Sequence, residues 1–155
     1  MKTLKTTLLT SFAALFIAIS AFATAQNDDI REFTIKGTDN MKFDVTLIEA
    51  SPGETIRITL QTVSNMPPQA MAHNIAVVDL DVDVDAFVMA SMSARDTEFI
   101  APGYADKVIA HTEMIGGGET SVIEFTMPDT PGDYEFVCTF PGHYYGGMKG
   151  IIRVN

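Results

Sequence analysis

The sequence predicts an all-β fold, an antiparallel sandwich or barrel of about eight short strands with one short helical segment inserted between them. Two observations support this prediction. Apolar and polar residues alternate in short runs that are rich in β-branched residues, which is typical of strands with one buried face. Pro and Gly residues separate these runs, so each predicted strand ends in a turn.

The alternating runs extend along most of the chain after residue 30. In chain order they are residues 33–35, 43–47, 56–60, 75–78, 107–110, 121–125, 134–138 and 151–154. The turns between them contain Pro52-Gly53, Pro67-Pro68, Pro102-Gly103, Gly116-Gly117-Gly118, Pro131-Gly132, Pro141-Gly142 and Gly146-Gly147. Residues 84–95 are richer in Ala and Met, and we expect the helical segment there.

The first 25 residues have the features of a signal peptide. Lys2 and Lys5 precede a largely apolar stretch, and Ala23-Thr24-Ala25 forms a small-x-small cleavage site. The alternative is an uncleaved N-terminal anchor, but polar residues interrupt the stretch and it is shorter than the roughly 20 residues that a spanning helix needs. We therefore expect cleavage after Ala25, an exported protein without a membrane span, and a single domain formed by residues 26–155.

The charge and the cysteine content exclude several classes of protein. The 155 residues include 20 acidic and 10 basic side chains, for a formal net charge of -10, which argues against nucleic acid as the main partner. A single cysteine excludes an intramolecular disulfide framework and a zinc site made only of cysteines. In an oxidising compartment an unpaired thiol must be buried or bound to a metal.

The segment from Cys138 to Met148 carries the chemistry. It has the spacing C-x4-H-x4-M, so Cys138, His143 and Met148 lie on one loop between two predicted strands. A thiolate, an imidazole and a thioether together suit copper far better than magnesium or calcium. A trigonal site needs a second imidazole, and His73 in Met71-Ala72-His73-Asn74 is the candidate. Two His, one Cys and a weak axial Met form the ligand set of a blue-copper electron-transfer centre.

The sequence resembles the azurin branch of the cupredoxins. The resemblance covers most of residues 35–154 and is carried, in the same order, by the segments around His73, Val108-Ile109-Ala110-His111-Thr112, Ile115-Gly116, Cys138 to His143 and Met148-Lys149-Gly150. It implies a Greek-key β-sandwich and one copper ion bound by His73, Cys138, His143 and axial Met148. Azurins have one residue fewer between the second His and the Met, and the longer spacing here is similar to auracyanin and plastocyanin.

The resemblance also implies roles for residues beside the ligands. The backbone carbonyl of Ala72 would face the copper, and Asn74 would tie the two ligand loops together. Backbone N–H groups near Thr139 and Phe140, with the amide of Asn74, are expected to donate to the cysteine sulfur and stabilise the thiolate.

An apolar docking patch around an exposed His143 is the next expectation from the resemblance. Its residues would be Met41, Met66, Met71, Pro141 and Tyr144, with Phe140 beside them. The alternative for part of this set is ordinary core packing with methionine as a gap filler. Such a patch suits brief encounters with redox proteins, and the acidic charge elsewhere would steer basic partners.

The expected function is therefore periplasmic electron transfer by one copper that cycles between Cu(I) and Cu(II), in a monomeric protein that is not an enzyme. Cytochromes or copper or haem oxidoreductases are the expected redox partners, and no nucleic acid is expected. One alternative is a periplasmic copper carrier or storage protein that uses a methionine-rich surface. A second is a thiol enzyme with Cys138 and His143 as a nucleophile pair, but it lacks an evident orienting residue and leaves His73 and Met148 unexplained.

Two further features are interpreted as structural. His111 lies in a predicted strand, far from the Cys-His loop in sequence, and is expected to be a surface or hydrogen-bonded histidine rather than a ligand. Asp79, Asp81, Asp83 and Asp85 alternate as in a calcium loop, but the required Gly and final Glu are absent, so a solvated acidic face is expected.

Overall fold

Strands form most of the regular structure in residues 30–155, the part of the chain that this computed structural model describes. They are β1 (Arg31–Thr38), β2 (Lys42–Phe43), β3 (Leu47–Ala50), β4 (Thr55–Val63), β5 (Ala76–Val78), β6 (Val108–His111), β7 (Thr120–Thr126), β8 (Gly132–Val137) and β9 (Lys149–Val154). The expected signal peptide, residues 1–25, lies outside the described residues. No helix within them is long and apolar enough to cross a membrane.

The strands form two sheets, with the orders β2-β1-β4-β7 and β3-β9-β8-β5-β6. The prediction of an all-β sandwich is confirmed, and both sheets are mixed where antiparallel strands were predicted. β1 pairs with β4, and β3 pairs with β9, in parallel. The reason is that the chain leaves the first sheet after β2, adds β3 to the second sheet and then returns with β4. Parallel neighbours require such a crossover, because a tight hairpin can join only antiparallel strands.

The predicted strand at residues 43–47 is divided where the chain changes sheet. Asp44 makes this corner: its backbone N–H donates to the carbonyl of Lys36 at 3.1 Å, and its side-chain Oδ1 accepts from the Lys36 N–H at 2.7 Å. The backbone N–H and carbonyl of Lys36 are therefore both hydrogen-bonded to Asp44, just after the end of β2. The chain then turns away and starts β3 at Leu47.

The main core lies between the two sheets and follows the period-two pattern of the sequence. Along β4, Ile56, Ile58 and Leu60 are buried while their neighbours are partly exposed. They pack in one cluster with residues of the second sheet such as Phe136 and Ile152. Alternation in the sequence thus identified the buried face of the longest strand correctly.

The inserted helix, α1 (Val84–Ser91), is shorter than the predicted 84–95. Its N-cap is Asp83, whose side chain accepts a hydrogen bond from the backbone of Ala86. It ends at Ser91, whose hydroxyl accepts a hydrogen bond from the N–H of Ala101, and two short 3-10 helices follow at Arg95–Thr97 and Pro102–Tyr104. A smaller core, formed by Ala76, Val78, Phe87, Val88, Ile100, Val137 and Tyr144, lies beneath the helix.

Candidate metal centre

Three neighbouring strands bring the predicted ligands to one end of the second sheet. β8 ends at Val137, so Cys138 is the next residue, and Met148 immediately precedes β9. The pairing of β8 with β9 continues into the site, where the Cys138 N–H donates to the carbonyl of Met148 at 3.0 Å. β5 pairs with the other edge of β8, and His73 lies three residues before β5. Adjacent strand ends therefore place residues that are distant in sequence side by side.

Backbone hydrogen bonds fix the position of His73. It forms a two-way bridge with Ile115, whose carbonyl accepts from the His73 N–H and whose N–H donates to the His73 carbonyl, both at 2.9 Å. Gly37 of β1 lies beneath the ring, since a Cβ there would be 2.7 Å from Cδ2 of His73 and 2.8 Å from Cε of Met148. This close approach fixes the plane of the imidazole and leaves no room for a side chain at position 37.

Asn74 connects the segment that carries His73 with the segment that carries Cys138. Its Oδ1 accepts from the backbone N–H of Thr139 at 2.9 Å, and its Nδ2 donates to the Thr139 hydroxyl at 2.8 Å. Both residues are fully buried. Because buried polar groups are costly to leave unpaired, this pair links the positions of His73 and Cys138, the residues next to them.

Residues 138–148 form what we call the ligand loop. A turn at its tip is closed by the His143 N–H, which donates to the carbonyl of Phe140 at 3.0 Å. The Phe140 ring packs on the His143 ring with a centroid distance of 4.6 Å, and on Phe99 at 5.6 Å. We expected an exposed His143, but this packing leaves it only 3% exposed, and the exposed residues of the tip are Pro141 and Gly142.

Three donor atoms converge at the centre of the site. The Nδ1 atoms of His73 and His143 are 3.2 Å apart, and the Sγ atom of Cys138 lies 4.0 Å from the first and 3.5 Å from the second. Within the described residues, these three side chains form the group of His, Cys, Asp or Glu residues close enough to share a metal ion, and all three are buried.

The surroundings set the protonation of each donor. Burial, and next the neighbouring His143, lower the pKa of His73 to about 4, against weaker opposing effects of Asp39 and the Thr38 backbone. Burial lowers the pKa of His143 to about 4 as well. Burial raises the pKa of the Cys138 thiol to about 12, although the backbone N–H groups of Asn74 and Phe140 oppose this. At neutral pH the protein without metal therefore holds two neutral imidazoles and a thiol.

The groups that were predicted to donate to the cysteine sulfur have different partners. The backbone N–H groups of Asn74 and Phe140 act on the cysteine sulfur. The side-chain amide of Asn74 is instead used by Thr139, and the Thr139 N–H donates to Asn74. Thr139 thus acts on the position of the loop rather than on the sulfur.

The donor set fits a copper ion. An ion with bonds of about 2.0 Å to nitrogen and about 2.3 Å to sulfur, as known for zinc, would separate trigonal donors by roughly 3.5 to 3.8 Å. The observed separations of 3.2 to 4.0 Å bracket that range. One proton cannot satisfy two facing imidazole nitrogens and a thiol, whereas one ion can. Two imidazoles, a thiolate and a nearby thioether are the donors of copper sites that transfer electrons.

The second ring nitrogen of His73, Nε2, lies outside the group of three donor atoms. Among the side chains that the structure describes, it is a buried nitrogen without a hydrogen-bond partner. A histidine that binds a metal usually donates its other ring N–H to a carbonyl or carboxylate. The backbone of Thr38 in β1 acts on the pKa of this ring, but it makes no hydrogen bond to Nε2 in the structure.

Met148 and Ala72 are the predicted residues above and below the three donors. Met148 is fully buried, with its terminal methyl group near Gly37, beside the His73 ring. Ala72 is buried directly before His73 and lines a cavity of about 200 Å³ together with Pro68, Gln69, Arg95, Phe99, Met114 and Phe140. Met148 therefore lies beside the His73 ring and Ala72 precedes His73 in the chain, while their roles as axial groups stay predictions.

The predicted docking patch is only partly at the surface. Met66 is 44% exposed, Pro141 is exposed and Met41 is half-buried. Met71 and Tyr144 are buried, so they cannot contribute the exposed area that we expected. Tyr144 packs into the small core beneath α1, because the residue after His143 turns inward.

The features interpreted as structural lie away from the cluster. His111 is exposed at the end of β6, with Nδ1 3.1 Å from the carbonyl of Thr112. Of the alternating acidic residues, Asp81 pairs with Lys107 at 2.5 Å and Asp83 caps α1. Gly37, Thr38 and Ile115 were missed by sequence reasoning, since only their contacts with His73 give them a role.

Comparison with known proteins agrees with the geometry. The family of copper binding proteins described as the plastocyanin/azurin family matches residues 31–155. The chain is 34% identical over 127 residues to azurin from Alcaligenes faecalis, a match that covers 79% of this chain and 97% of that protein. It is 37% identical over 112 residues to outer membrane protein H.8 of Neisseria gonorrhoeae, covering 71% of this chain but 60% of the length of H.8.

Comparison with solved structures also finds a similar copper protein. The fold is similar to that of dithionite-reduced auracyanin from the photosynthetic bacterium Roseiflexus castenholzii, with a TM-score of 0.70 and 33% sequence identity. The similarity covers 80% of this chain and 96% of the auracyanin chain.

Proposed function

Because the chain belongs to the plastocyanin/azurin family of copper-binding proteins, we propose that it is an electron carrier with a single type 1 copper. The ligands in this proposal are His73, Cys138 and His143, with Met148 as the axial ligand and the Ala72 carbonyl opposite. The observation that carries it is the buried cluster in which both Nδ1 atoms and the cysteine sulfur face one another.

The protein contributes a dry and rigid site. Bound copper supplies one-electron chemistry by cycling between Cu(I) and Cu(II). Electron exchange is fastest when donors and solvent rearrange little, and here Asn74, Thr139 and the Ile115 bridge hold the donors before any metal arrives. The Phe140 ring covers His143 and keeps water away from it.

Electrons would enter and leave near the tip of the ligand loop. Pro141 and Gly142 are exposed there, and we expect the exposed Met66 and the half-buried Met41 to add apolar surface. A small apolar contact suits brief encounters with a redox protein. We propose a periplasmic location, export by the N-terminal segment, and partners such as cytochromes or copper or haem oxidoreductases. The net charge of -10 would speed encounters with basic partners at low salt.

A visible spectrum tests the proposal directly. Adding Cu(II) to the purified protein should produce an intense blue band from charge transfer between the cysteine sulfur and copper, and reductant should bleach it. Cys138→Ser should abolish the band. His111→Gln is the matched control, because His111 is an exposed histidine outside the cluster, and this variant should remain blue. A colourless copper-loaded wild type would refute the proposal.

The stoichiometry separates an electron carrier from a copper carrier or storage protein. The described residues bring one cluster of three donors together, so we expect one copper per chain. Binding of several Cu(I) ions, or rapid transfer of Cu(I) to an acceptor protein, would favour storage or delivery. Rapid electron self-exchange without loss of metal would favour electron transfer. Absence of hydrolysis of ester or peptide substrates would agree with a protein that is not an enzyme.

A further inference from the structure

The ligand loop returns from His143 to Met148 through two glycines, and the N–H groups of Gly146, Gly147 and Met148 are satisfied within the loop. Three bonds close it: Gly146 donates to the Gly142 carbonyl at 2.9 Å, Gly147 to the Tyr144 carbonyl at 2.8 Å, and Met148 to the His143 carbonyl at 3.0 Å. Gly147 has a φ of +91°, which favours glycine. The carbonyl of Gly146 differs from these groups, because its partner lies outside the loop.

That partner is Lys42. Its Nζ donates to the Gly146 carbonyl at 2.7 Å, across 104 positions of sequence. The ammonium group also occupies the space that a side chain at Gly147 would need. Lys42 lies in β2, which is paired with β1 through Thr38. A single side chain on the first sheet therefore contacts both glycines of a loop that belongs to the second sheet.

The residues around Lys42 contact the rest of the site. Met41, with a φ of 53°, places its side chain against Gly146, since a Cβ there would be 3.0 Å from the Met41 Cβ and 3.1 Å from its sulfur. Gly37, on β1, touches both His73 and Met148. The β1–β2 hairpin thus contacts the first histidine, the methionine and the glycine step between the second histidine and the methionine.

We propose that Lys42 is a positioning residue for the copper centre. Its ammonium group holds the Gly146–Gly147 segment in place and thereby helps to fix the position of Met148. The ligand assignment of Met148 rests on the proposed function. Two consecutive glycines have little conformational preference of their own, so contacts from outside the loop add to its internal hydrogen bonds in fixing the position of Met148. A charged donor on a carbonyl makes a stronger hydrogen bond than a neutral one, and Lys42 supplies one.

Hydrogen exchange in the copper-free protein tests the contact without any metal. In Lys42→Met the side chain keeps its length but loses its donors, so exchange of the Gly147 and Met148 amides should speed up by about 3- to 10-fold, the value of one ordinary hydrogen bond. Amides in the middle of β8 should not change. Lys42→Arg should restore protection because it keeps a charged donor.

Lys36→Met is the matched control, since it removes a cation from an exposed position on β1. We expect it to leave exchange of the loop amides unchanged. Exchange of the loop amides in Lys42→Met that is as slow as in the wild type would overturn the proposal. The same acceleration in Lys42→Met and Lys36→Met would also overturn it, because that would show an effect of charge alone.

The reduction potential of the copper-loaded protein supplies the second readout. Lys42→Met should shift it by more than Lys36→Met does, and Lys42→Arg should return it towards the wild-type value. A shift of the same size in both Met variants would overturn the positioning role. If Met148 is not a ligand, the Met148→Leu variant described below fails its own test while the exchange result for Lys42 still stands, so the two failures are distinguishable.

Discussion

The Nδ1 atoms of His73 and His143 lie 3.2 Å apart, although 70 positions separate the two residues in the sequence. Two neutral imidazoles and a thiol therefore meet at one spot. Hydrogen bonds within the described residues hold the backbone on both sides of this spot. The protein therefore maintains the binding geometry before it binds an ion, which is the arrangement that fast electron exchange requires.

Copper binding should release close to one proton per ion at pH 7. The pKa of the Cys138 thiol is raised to about 12 and those of both histidines are lowered to about 4, so only the thiol has a proton to lose. Calorimetric titration in buffers of different ionisation enthalpy measures this number. It should stay constant between about pH 6 and pH 9. Release of two protons, or a strong pH dependence in this interval, would show that a histidine is protonated in the free protein.

Acid should destabilise the copper-free protein between pH 6.5 and pH 4. The folded state keeps His73 and His143 neutral to about pH 4, whereas an unfolded histidine binds a proton below about pH 6.5. The unfolded state therefore binds more protons in this window, and stability is fully present above it and falls as the pH decreases. Each histidine would contribute up to about 3 kcal/mol.

Denaturant melts of the copper-free protein at several pH values measure this loss. The His143→Gln variant should show a smaller loss on acidification, and His111→Gln should match the wild type because His111 is exposed. An identical pH profile in His143→Gln and wild type would contradict the prediction.

Gly37→Ala should displace a side chain of the candidate metal site. The added methyl group would lie 2.7 Å from the His73 ring and 2.8 Å from the terminal methyl group of Met148, so one of these side chains must move. We expect a loss of about 1 to 3 kcal/mol in the free energy of unfolding, and an altered visible spectrum of the copper-loaded protein. Gly103→Ala is the control, since a methyl group there meets nothing within 4 Å. Equal stability and equal spectra of the two variants would show that Gly37 tolerates a side chain.

Met148→Leu should raise the reduction potential. A thioether donates weakly to copper, and replacing it with a hydrocarbon further disfavours Cu(II) relative to Cu(I). Met127→Leu is the matched control, because Met127 is also buried in the main core but lies outside the ligand loop. Voltammetry of both variants gives the result. An unchanged potential in Met148→Leu would mean that Met148 does not touch the metal.

The donor side chains of the candidate site could be proposed from the sequence because most of their information is local. Cys138, His143 and Met148 are closely spaced on one segment, and their chemistry differs enough from ordinary loop residues to indicate copper. His73 required more, since its pairing with the loop depended on an expected fold and a resemblance. The alternation in β4 likewise identified a buried face, because a strand that packs on one side must bury every second residue.

The exposed surface was harder to predict. Met71 and Tyr144 are residue types that are common in docking patches, yet both are buried. Met66 and Pro141 are exposed. Apolar side chains occur both in cores and at contact sites, so composition does not distinguish the two positions. Only the packing of Tyr144 beneath α1 decides it.

The donor set, the strand periodicity and the acidic charge can be read from the chain alone, since they depend on residue type and on spacing along a few residues. Three other features follow only from the folded arrangement: the parallel pairing of strands, the cover of Phe140 over His143, and the contacts of Gly37 and Lys42 with the site. These relationships join positions far apart in the chain. They exist only because the two sheets pack face to face, and no local pattern records which distant backbone a glycine or an exposed lysine will meet.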